Sequence, residues 1–330
     1  MSYRLVSGSV AVVSLLAVLV GDVWIGENAS GSQRLATLLR HGSLIPLAFT
    51  ALIVLAVREL AALLRAADLR PHVGLATVAC VILMLSPWLC AGRMLGDSPV
   101  DVEGLHWQLV WLATAVFATL IAQLIRRQPR TAAADIGATW LMILYLGLLP
   151  SFALQLRCGV NITDSAIGVS LLLIVLAIAL AADVGAYYVG SAIGRHRLAP
   201  WVSPGKTVEG FFGGLVASIT VAIVLWLIAE GSVPGSDSAA ETSGILSRMG
   251  EQLSPIIGGL SLLQVFVFGL VTSVCAQMGD LFESLLKRSA QVKDSSGVIP
   301  GMGGVLDVID GVIFAAPAAW FLMTFVWEVV

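Results

Sequence analysis

The stretch AIGVSLLLIVLAIALAADVGAYYVG, residues 166–190, carries a single charged side chain, that of Asp183. A helix that crosses a bilayer needs about 20 consecutive, predominantly apolar residues, whereas a buried helix of a soluble domain usually has a shorter apolar run. This stretch is therefore long enough to span a membrane, and the fold depends on how often stretches of this length recur.

Apolar stretches of similar length recur along the whole chain. The chain is 58% hydrophobic and only 12% charged, whereas soluble domains carry about 25% charged residues. We therefore predict an all-α fold, that of a polytopic integral membrane protein with about nine transmembrane helices. Besides residues 166–190, the predicted spans are 7–25, 43–57, 73–92, 105–125, 136–156, 211–230, 259–283 and 304–327. The span 43–57 is short, and its extension into the amphipathic stretch RELAALLRAADLR is left open.

Lysine and arginine are distributed unequally between the two sides of the predicted membrane. With a cytoplasmic N-terminus, 13 of the 18 basic residues lie inside and 5 lie outside. Cytoplasmic loops of membrane proteins are enriched in basic residues. We therefore predict a multi-pass protein of the inner (cytoplasmic) cell membrane with its N-terminus in the cytoplasm.

The chain's three lysines lie in two cytoplasmic loops of its C-terminal half. We assign residues 1–160 to N-terminal transmembrane helices (spans 1–5) and residues 161–330 to a C-terminal region (spans 6–9), which we expect to be catalytic and which contains the motif loops 194–210 and 284–304. A lysine ammonium suits phosphate as a compact point charge, although ordinary positive-inside loops account for these charges equally well. The lysines are Lys206, Lys287 and Lys293.

Acidic side chains lie at the ends of three apolar runs of the C-terminal region. A charged residue at the centre of a membrane helix costs about 2.5–3.5 kcal/mol, so such acids usually face a polar interior and serve a function. These acids are Asp183, Asp280, Glu283, Asp307 and Asp310. Helical spacing of i, i+3, i+4 and i+7 places Asp280, Glu283, Ser284 and Lys287 on one face.

The short loop 284–304 predicts that the last two helices pack as antiparallel neighbours, which would bring Asp280 close to Asp307. Two facing carboxylates repel each other unless a cation lies between them, and Mg²⁺ binds through one or two carboxylates. We therefore expect Asp280 and Asp307 to bind Mg²⁺, with Glu283 and Asp310 in support; a second cation stays open. The alternative is that Asp280 and Asp307 only pair with Lys287 or Arg288 at a helix end.

The two motif loops offer further groups that can bind an anion. In GVIPGMGGVLD, Gly303 and Gly304 let backbone N–H groups approach an anion, or simply permit a tight re-entry into the membrane. The GKT of the other loop does not begin a P-loop, because Pro200 stands where that motif has glycine and we predict no strand before it. Instead we expect its donors to bind phosphate and an acid to begin the next helix: Ser203, Lys206, Thr207 and Glu209.

Several segments match one family in order and spacing. Its pattern S-x-aliphatic-K-R-x4-K-D is followed by a linker and P-x-H-G-G-aliphatic-x-D-R-x-D. Here the matching residues are Ser284, Leu286, Lys287, Arg288, Lys293, Asp294, Pro300, Gly303, Gly304, Asp307 and Asp310. GDLFES (279–284), DVGAYYVG (183–190) and SPGKTVEGFFGG (203–214) match further family motifs. In these residues the chain resembles the phosphatidate cytidylyltransferases, or CDP-diacylglycerol synthases.

The resemblance implies transfer of a cytidylyl group from CTP to phosphatidate, giving CDP-diacylglycerol and pyrophosphate. It implies that Asp280, Asp307, Lys287 and Lys206 are catalytic. It also implies substrate binding by Ser203, Thr207, Glu209, Ser284, Arg288, Lys293, Asp294, Gly303 and Gly304, with Asp183 and Tyr187 beside them. The chain departs from the family at Met302, Val308, Gly205 and Val208, which replace His, Arg, Lys and Trp. The acids and three basic residues are retained, so we expect an active variant.

Two other functions stay open. One is a CTP-dependent transferase with an isoprenoid-based lipid acceptor. The other is an ion-coupled transporter, which the clustering of the acids at one face and the lack of an inverted repeat disfavour. The expected partners are CTP, phosphatidate and the lipid bilayer, with no nucleic acid; whether the protein forms a homodimer is left open.

Overall fold

The structure is a computed structural model that describes residues 17–26, 28, 39, 42–91, 100–158, 165–231, 250–251, 253–292, 295–296 and 303–327. The helices are α1 (Ala17–Gly26), α2 (Leu44–Ala66), α3 (Val73–Ala91), α4 (Val100–Arg126), α5 (Ala132–Arg157), α6 (Ser165–Ile193), α7 (Val208–Glu230), α8 (Leu262–Ser289) and α9 (Leu306–Phe321). A π-helical turn, Leu144–Leu148, interrupts α5, another, Leu322–Val326, continues α9, and a third, Ser254–Gly258, precedes α8. The strands are β1 (Arg197–Ala199) and β2 (Ser203–Thr207).

Eight of the described helices, α2 to α9, are long and apolar enough to cross a membrane. This finding confirms an all-α polytopic membrane fold. The predicted span 7–25 begins outside the described residues and is represented only by the shorter apolar helix α1, so the ninth span and the orientation of the N-terminus stay predictions. Helix α2 runs to Ala66, beyond the predicted end at residue 57, because the following amphipathic turns bury Leu60 and Leu63.

The motif loop 194–210 contains a β-hairpin, which contradicts our prediction that no strand precedes GKT. Strands β1 and β2 pair antiparallel, with Arg197 opposite Thr207 and Ala199 opposite Ser203. Local propensity does not predict this strand, because SPGKT contains proline and glycine, which strands disfavour. A P-loop follows a buried strand, which this short hairpin does not provide. Pro200 also occupies the position where the P-loop motif has glycine, so GKT is still not a P-loop.

Glycines bring α6 and α7 into close contact. A Cβ atom on Gly185 would lie 2.6 Å from Cβ of Ala217 and 2.7 Å from the carbonyl oxygen of Gly213. A Cβ atom on Gly190 would lie 3.4 Å from Cα of Gly210. Small residues allow this approach between membrane helices, and it sets the ends of α6 and α7 on either side of the hairpin.

Helices α8 and α9 pack side by side in opposite directions, as the short loop between them predicted. The rings of Phe268 and Trp327 are 6.0 Å apart at one end of the pair, and those of Phe282 and Phe314 are 5.7 Å apart nearer the other. Helix α5 packs against both, since the ring of Tyr145 lies 5.1 Å from that of Phe282. The N-terminal helices therefore support the two helices that carry most of the acids.

A buried ion pair ties α1 to the far end of α5. Nη2 of Arg157 lies 2.9 Å from Oδ2 of Asp22, and neither side chain has any exposed surface. Oδ1 of Asp22 also accepts hydrogen bonds from the backbone N–H groups of Leu44 and Ile45, at the start of α2. The pair connects three helices at the end of the bundle opposite the motif loops.

Candidate active site

A cavity of about 540 Å³ opens between α6, the hairpin, α7 and α8. Its walls combine both signs of charge with aromatic and small residues. Six lining residues bear on its chemistry: Asp183 and Tyr187 from α6, Arg197 and Lys206 from the hairpin, and Gln277 and Asp280 from α8. A cavity of this size with a few convergent polar groups is typical of a small-molecule site.

Lys206 and Asp280 join the hairpin to α8 across this cavity. Nζ of Lys206 lies 2.6 Å from Oδ2 of Asp280, and the two side chains are 25% and 36% exposed. An ion pair as accessible as this contributes little to stability, so a bound polyanion can attract the lysine while a cation attracts the carboxylate. Arg197 adds a second positive charge to the same cavity.

Three carboxylates, which we call the acid trio, lie at the inner side of this region: Asp280, Glu283 and Asp310. One oxygen from each lies within 4.8 Å of the other two, and Glu283 and Asp310 are buried. Oε1 of Glu283 is buried and accepts no hydrogen bond from the described residues. Carboxylates at this spacing repel one another, and hard cations such as Mg²⁺ take oxygen ligands. The donor set therefore fits a divalent cation.

Asp307 lies outside the acid trio, and its oxygens are already occupied. Oδ1 accepts a hydrogen bond from Nζ of Lys287 at 2.6 Å, while Oδ2 accepts from the Ser295 hydroxyl at 2.6 Å and from the Gly304 N–H at 2.7 Å. Lys287 also contacts Glu283, one turn before it on α8. The structure thus pairs Asp307 with Lys287, one of the two partners that the helix-end alternative named, whereas the partner of Asp280 is Lys206 of the hairpin. The metal role of Asp307 stays a prediction.

Three of the expected substrate-binding residues also make structural contacts in and around the hairpin. Thr207 is the N-cap of α7, and its hydroxyl accepts a hydrogen bond from the Gly210 N–H. Glu209 accepts from the backbone N–H groups of Arg195 and His196 and contacts the His196 ring at 2.6 Å. Nε of Arg288 donates to the Val202 carbonyl in the hairpin turn at 3.0 Å.

The structure describes only some of the remaining expected residues. Ser203 lies on β2 and Ser284 on α8, both partly buried. Gly303 has φ of +94°, a conformation that favours glycine. Lys293, Asp294 and Met302 lie outside the described residues, and Val308 is 44% exposed.

Glu59, on α2, is a buried acid next to the start of α9 that sequence reasoning missed. It is only 6% exposed and accepts hydrogen bonds from Val305 and Leu306, at the start of α9. The signal was present in the sequence, because an extension of the second span into RELAALLRAADLR makes Glu59 an acid inside a membrane helix, a consequence that we did not draw. Arg197 and Gln277 were also missed, because nothing in their spacing indicates that they face the cavity.

The profile of the Cytidylyltransferase family matches residues 31–326. The chain is 31% identical over 189 residues to the phosphatidate cytidylyltransferase of Bacillus subtilis (57% of this chain, 58% of the relative). It is 32% identical over 225 residues to that of Haemophilus influenzae (67% and 70%) and 29% identical over 303 residues to that of Synechocystis (84% and 87%). The alignment thus covers little more than half of the Bacillus protein. Because the family profile matches nearly the whole chain, this protein belongs to the cytidylyltransferase family.

Proposed function

We propose that this protein transfers the cytidylyl group of CTP to phosphatidate, giving CDP-diacylglycerol and pyrophosphate. The observation that carries the proposal is the acid trio beside a cavity lined by Lys206 and Arg197. Such a site suits two polyanionic substrates and a divalent cation. Family membership and the names of the relatives support the same reaction.

The reaction requires positioning and charge compensation more than covalent chemistry by the protein. A phosphate oxygen of phosphatidate attacks the α-phosphorus of CTP, and the bond to the oxygen that bridges the α- and β-phosphates breaks, so that pyrophosphate leaves. The attacking oxygen is already anionic at neutral pH, so no serine or cysteine nucleophile is needed. The protein has to align the two substrates and offset their negative charge.

The acid trio would hold Mg²⁺. Its carboxylate oxygens and the unpartnered Oε1 of Glu283 support this assignment. When bound, Mg²⁺ would neutralise and orient phosphate oxygens of the substrates. We also assign Asp307 to the Mg²⁺ ligands, because it matches an aspartate of the family motif. Its carboxylate would be free to bind the ion once Lys287, which now donates to it, binds a substrate phosphate.

Basic residues on both sides of the acid trio would bind the phosphates. Lys206 and Arg197 line the cavity on the hairpin side, and Lys287 lies on the α9 side. We propose that these three residues bind the triphosphate and the lipid phosphate. We add Lys293 to them because it matches a lysine of the family motif. The site would face the cytoplasm, where CTP is present, and would open laterally so that the acyl tails stay in the bilayer.

A direct assay tests the proposal. Purified protein is incubated with labelled CTP and either phosphatidate or an isoprenoid phosphate, with and without Mg²⁺. We expect labelled CDP-diacylglycerol from phosphatidate only, and only with the divalent cation. If product forms only with the isoprenoid phosphate, the lipid acceptor is an isoprenoid and not phosphatidate. If no CDP-lipid forms with either acceptor, the proposed enzyme activity is wrong.

A further inference from the structure

We propose that Glu59, from the N-terminal region, is a positioning residue of this active site: it fixes the start of α9 and, through Ser295, the carboxylate of Asp307. The inference rests on the proposed function, because that function assigns Asp307 and Lys287 to the transfer reaction. It extends that function by assigning helix α2 a role in positioning residues of the site.

Glu59 has a complete set of hydrogen-bond donors around its buried carboxylate. Oε1 accepts from the Ser296 hydroxyl at 2.6 Å and from the Val305 N–H at 3.0 Å. Oε2 accepts from the Leu306 N–H at 2.8 Å and lies 3.3 Å from the Ser295 hydroxyl. A carboxylate on α2 thus holds both flanks of the segment that leads into α9.

These hydrogen bonds replace a cap that α9 lacks. The first N–H groups of a helix have no partner within the helix, and the side chain at the N-cap position, Val305, makes no capping hydrogen bond. A carboxylate is a favourable partner there because the helix N-terminus carries a partial positive charge. Glu59 supplies that carboxylate from another helix, so the position of α9 depends on α2.

Ser295 carries the effect on to Asp307. Its hydroxyl lies 2.6 Å from Oδ2 of Asp307 and its N–H lies 3.3 Å from the same oxygen. Ser295 is therefore held between the two carboxylates. Gly304 also lies between the two carboxylates. Its N–H donates to Oδ2 of Asp307, and a Cβ atom at this position would lie 2.5 Å from Oε2 of Glu59. Glu59 thus limits the positions that Asp307, and with it Lys287, can take.

The variant Glu59→Gln tests this role. It keeps the shape of the side chain but replaces one acceptor oxygen by an NH₂ group that faces two donors. We expect kcat per folded protein to fall about 10- to 100-fold, the range seen when the partners of functional ligands are removed. We expect the KM for CTP to change less than about threefold, since Glu59 does not line the cavity.

The matched control is Asp135→Asn. Asp135 is also a buried carboxylate of the N-terminal region, 1% exposed, and accepts hydrogen bonds from the Arg70 N–H and the Thr131 hydroxyl. Its partners, which also include Arg126 at the end of α4, lie in the N-terminal region and not in the motif segment. We expect kcat per folded protein to stay at the wild-type level in this variant; an equal loss in both variants would overturn a specific role for Glu59.

Amide hydrogen exchange gives a readout that needs no activity. In substrate-free protein, the peptide covering residues 303–309 should exchange faster in Glu59→Gln than in the wild type or in Asp135→Asn. Unchanged exchange in Glu59→Gln overturns the inference. If the wild-type protein forms no CDP-lipid, the proposed function fails while the exchange experiment still decides whether Glu59 fixes the start of α9.

A double-mutant cycle with Ser295→Ala tests the connection to Asp307. Ser295→Ala alone should also lower kcat, and combining it with Glu59→Gln should lower kcat no further than the more damaging single variant, within about threefold. Effects that multiply would overturn the connection through Ser295. If Glu59→Gln fails to fold, Ser295→Ala decides alone: turnover near the wild-type level would overturn the inference.

Discussion

Lys287 lies between two carboxylates, Glu283 and Asp307, and is only 13% exposed. In the absence of substrate it compensates part of the negative charge at the junction of α8 and α9. A triphosphate would compete for this ammonium, because phosphate oxygens concentrate more negative charge than one carboxylate does. The same residue can therefore stabilise the empty site and bind the substrate.

The variants Asp280→Asn and Asp307→Asn test the two carboxylates that the motifs single out. Each should lower turnover at least about 100-fold, because each removes a carboxylate that would hold the Mg²⁺ needed to neutralise the reacting phosphates. A titration with Mg²⁺ should show a higher requirement in both variants if both carboxylates bind the metal. Turnover is measured as CDP-lipid formation at saturating CTP.

Asp68→Asn is the control for this pair. Asp68 is exposed, lies after α2 and has φ of 60°, a conformation that asparagine adopts readily, so the variant should keep its activity. Near-normal turnover in Asp280→Asn or Asp307→Asn would refute the metal role of that residue. Lost turnover with an unchanged Mg²⁺ requirement in Asp307→Asn would leave it only as the partner of Lys287.

The sequence singles out four acids of the C-terminal helices but does not show how they are grouped. The cost of a carboxylate in a membrane helix points to Asp280, Glu283, Asp307 and Asp310 without any structure. Asp307 and Asp310 are one turn apart on α9, however, and spacing alone does not determine how that helix is rotated toward α8. The structure places Asp310 in the acid trio and leaves Asp307 with Lys287.

At the scale of the element, the hairpin depends on its anchors. Its strands have three and five residues, too few for an isolated hairpin to be stable in water. Arg288 holds its turn to α8, and Glu209 holds its first strand to the start of α7. Sequence reasoning identified these residues from their motifs and expected them to bind substrate; their contact with the backbone becomes visible only once the hairpin is formed.

Glu209→Gln should loosen the hairpin and raise the KM for CTP. The substituted side chain would lose one of the oxygens that accept from the backbone N–H groups of Arg195 and His196. A hydrogen bond to a charged group contributes about 1.5–3 kcal/mol. If that energy is lost from CTP binding, the KM rises about tenfold or more. Because Lys206 and Arg197 lie on the hairpin, their alignment at the cavity should suffer first. Steady-state kinetics with varied CTP measures the change.

His196→Ala is the comparison for this variant. It removes the ring contact to Glu209 but leaves both backbone N–H groups bound. We expect a smaller rise in KM than in Glu209→Gln. Equal KM values for Glu209→Gln and the wild type would contradict the anchoring role.

At the scale of the whole molecule, the site forms where several helix ends meet. The C-terminal ends of α2, α6 and α8 and the N-terminal end of α9 converge, since Glu59 contacts α9 and Lys206 contacts α8. Hydropathy predicts the spans because most of the apolar stretches approach or exceed the roughly 20 residues that a helix needs to cross a bilayer. It does not predict that α2 caps α9, because that contact joins residues 59 and 305 and depends on how all the helices pack.

The order of the spans also predicts which loops share a side of the membrane. Five of the candidate spans, α2 to α6, lie between Asn28 and Trp201, so these two exposed residues must lie on opposite sides. The distribution of basic residues predicts that Trp201, in the hairpin turn, lies on the cytoplasmic side. Asn28 should then face the outside.

Cysteine labelling in intact cells tests this arrangement. Asn28→Cys should react with a membrane-impermeant maleimide in intact cells, whereas Trp201→Cys should react only after the cells are permeabilised. The wild-type chain is the control, because Cys80, Cys90 and Cys158 are buried and Cys275 lies within α8. Labelling of Trp201→Cys alone in intact cells would reverse the orientation and place the cavity on the side without CTP. Labelling of both variants in intact cells would contradict the odd number of spans between them.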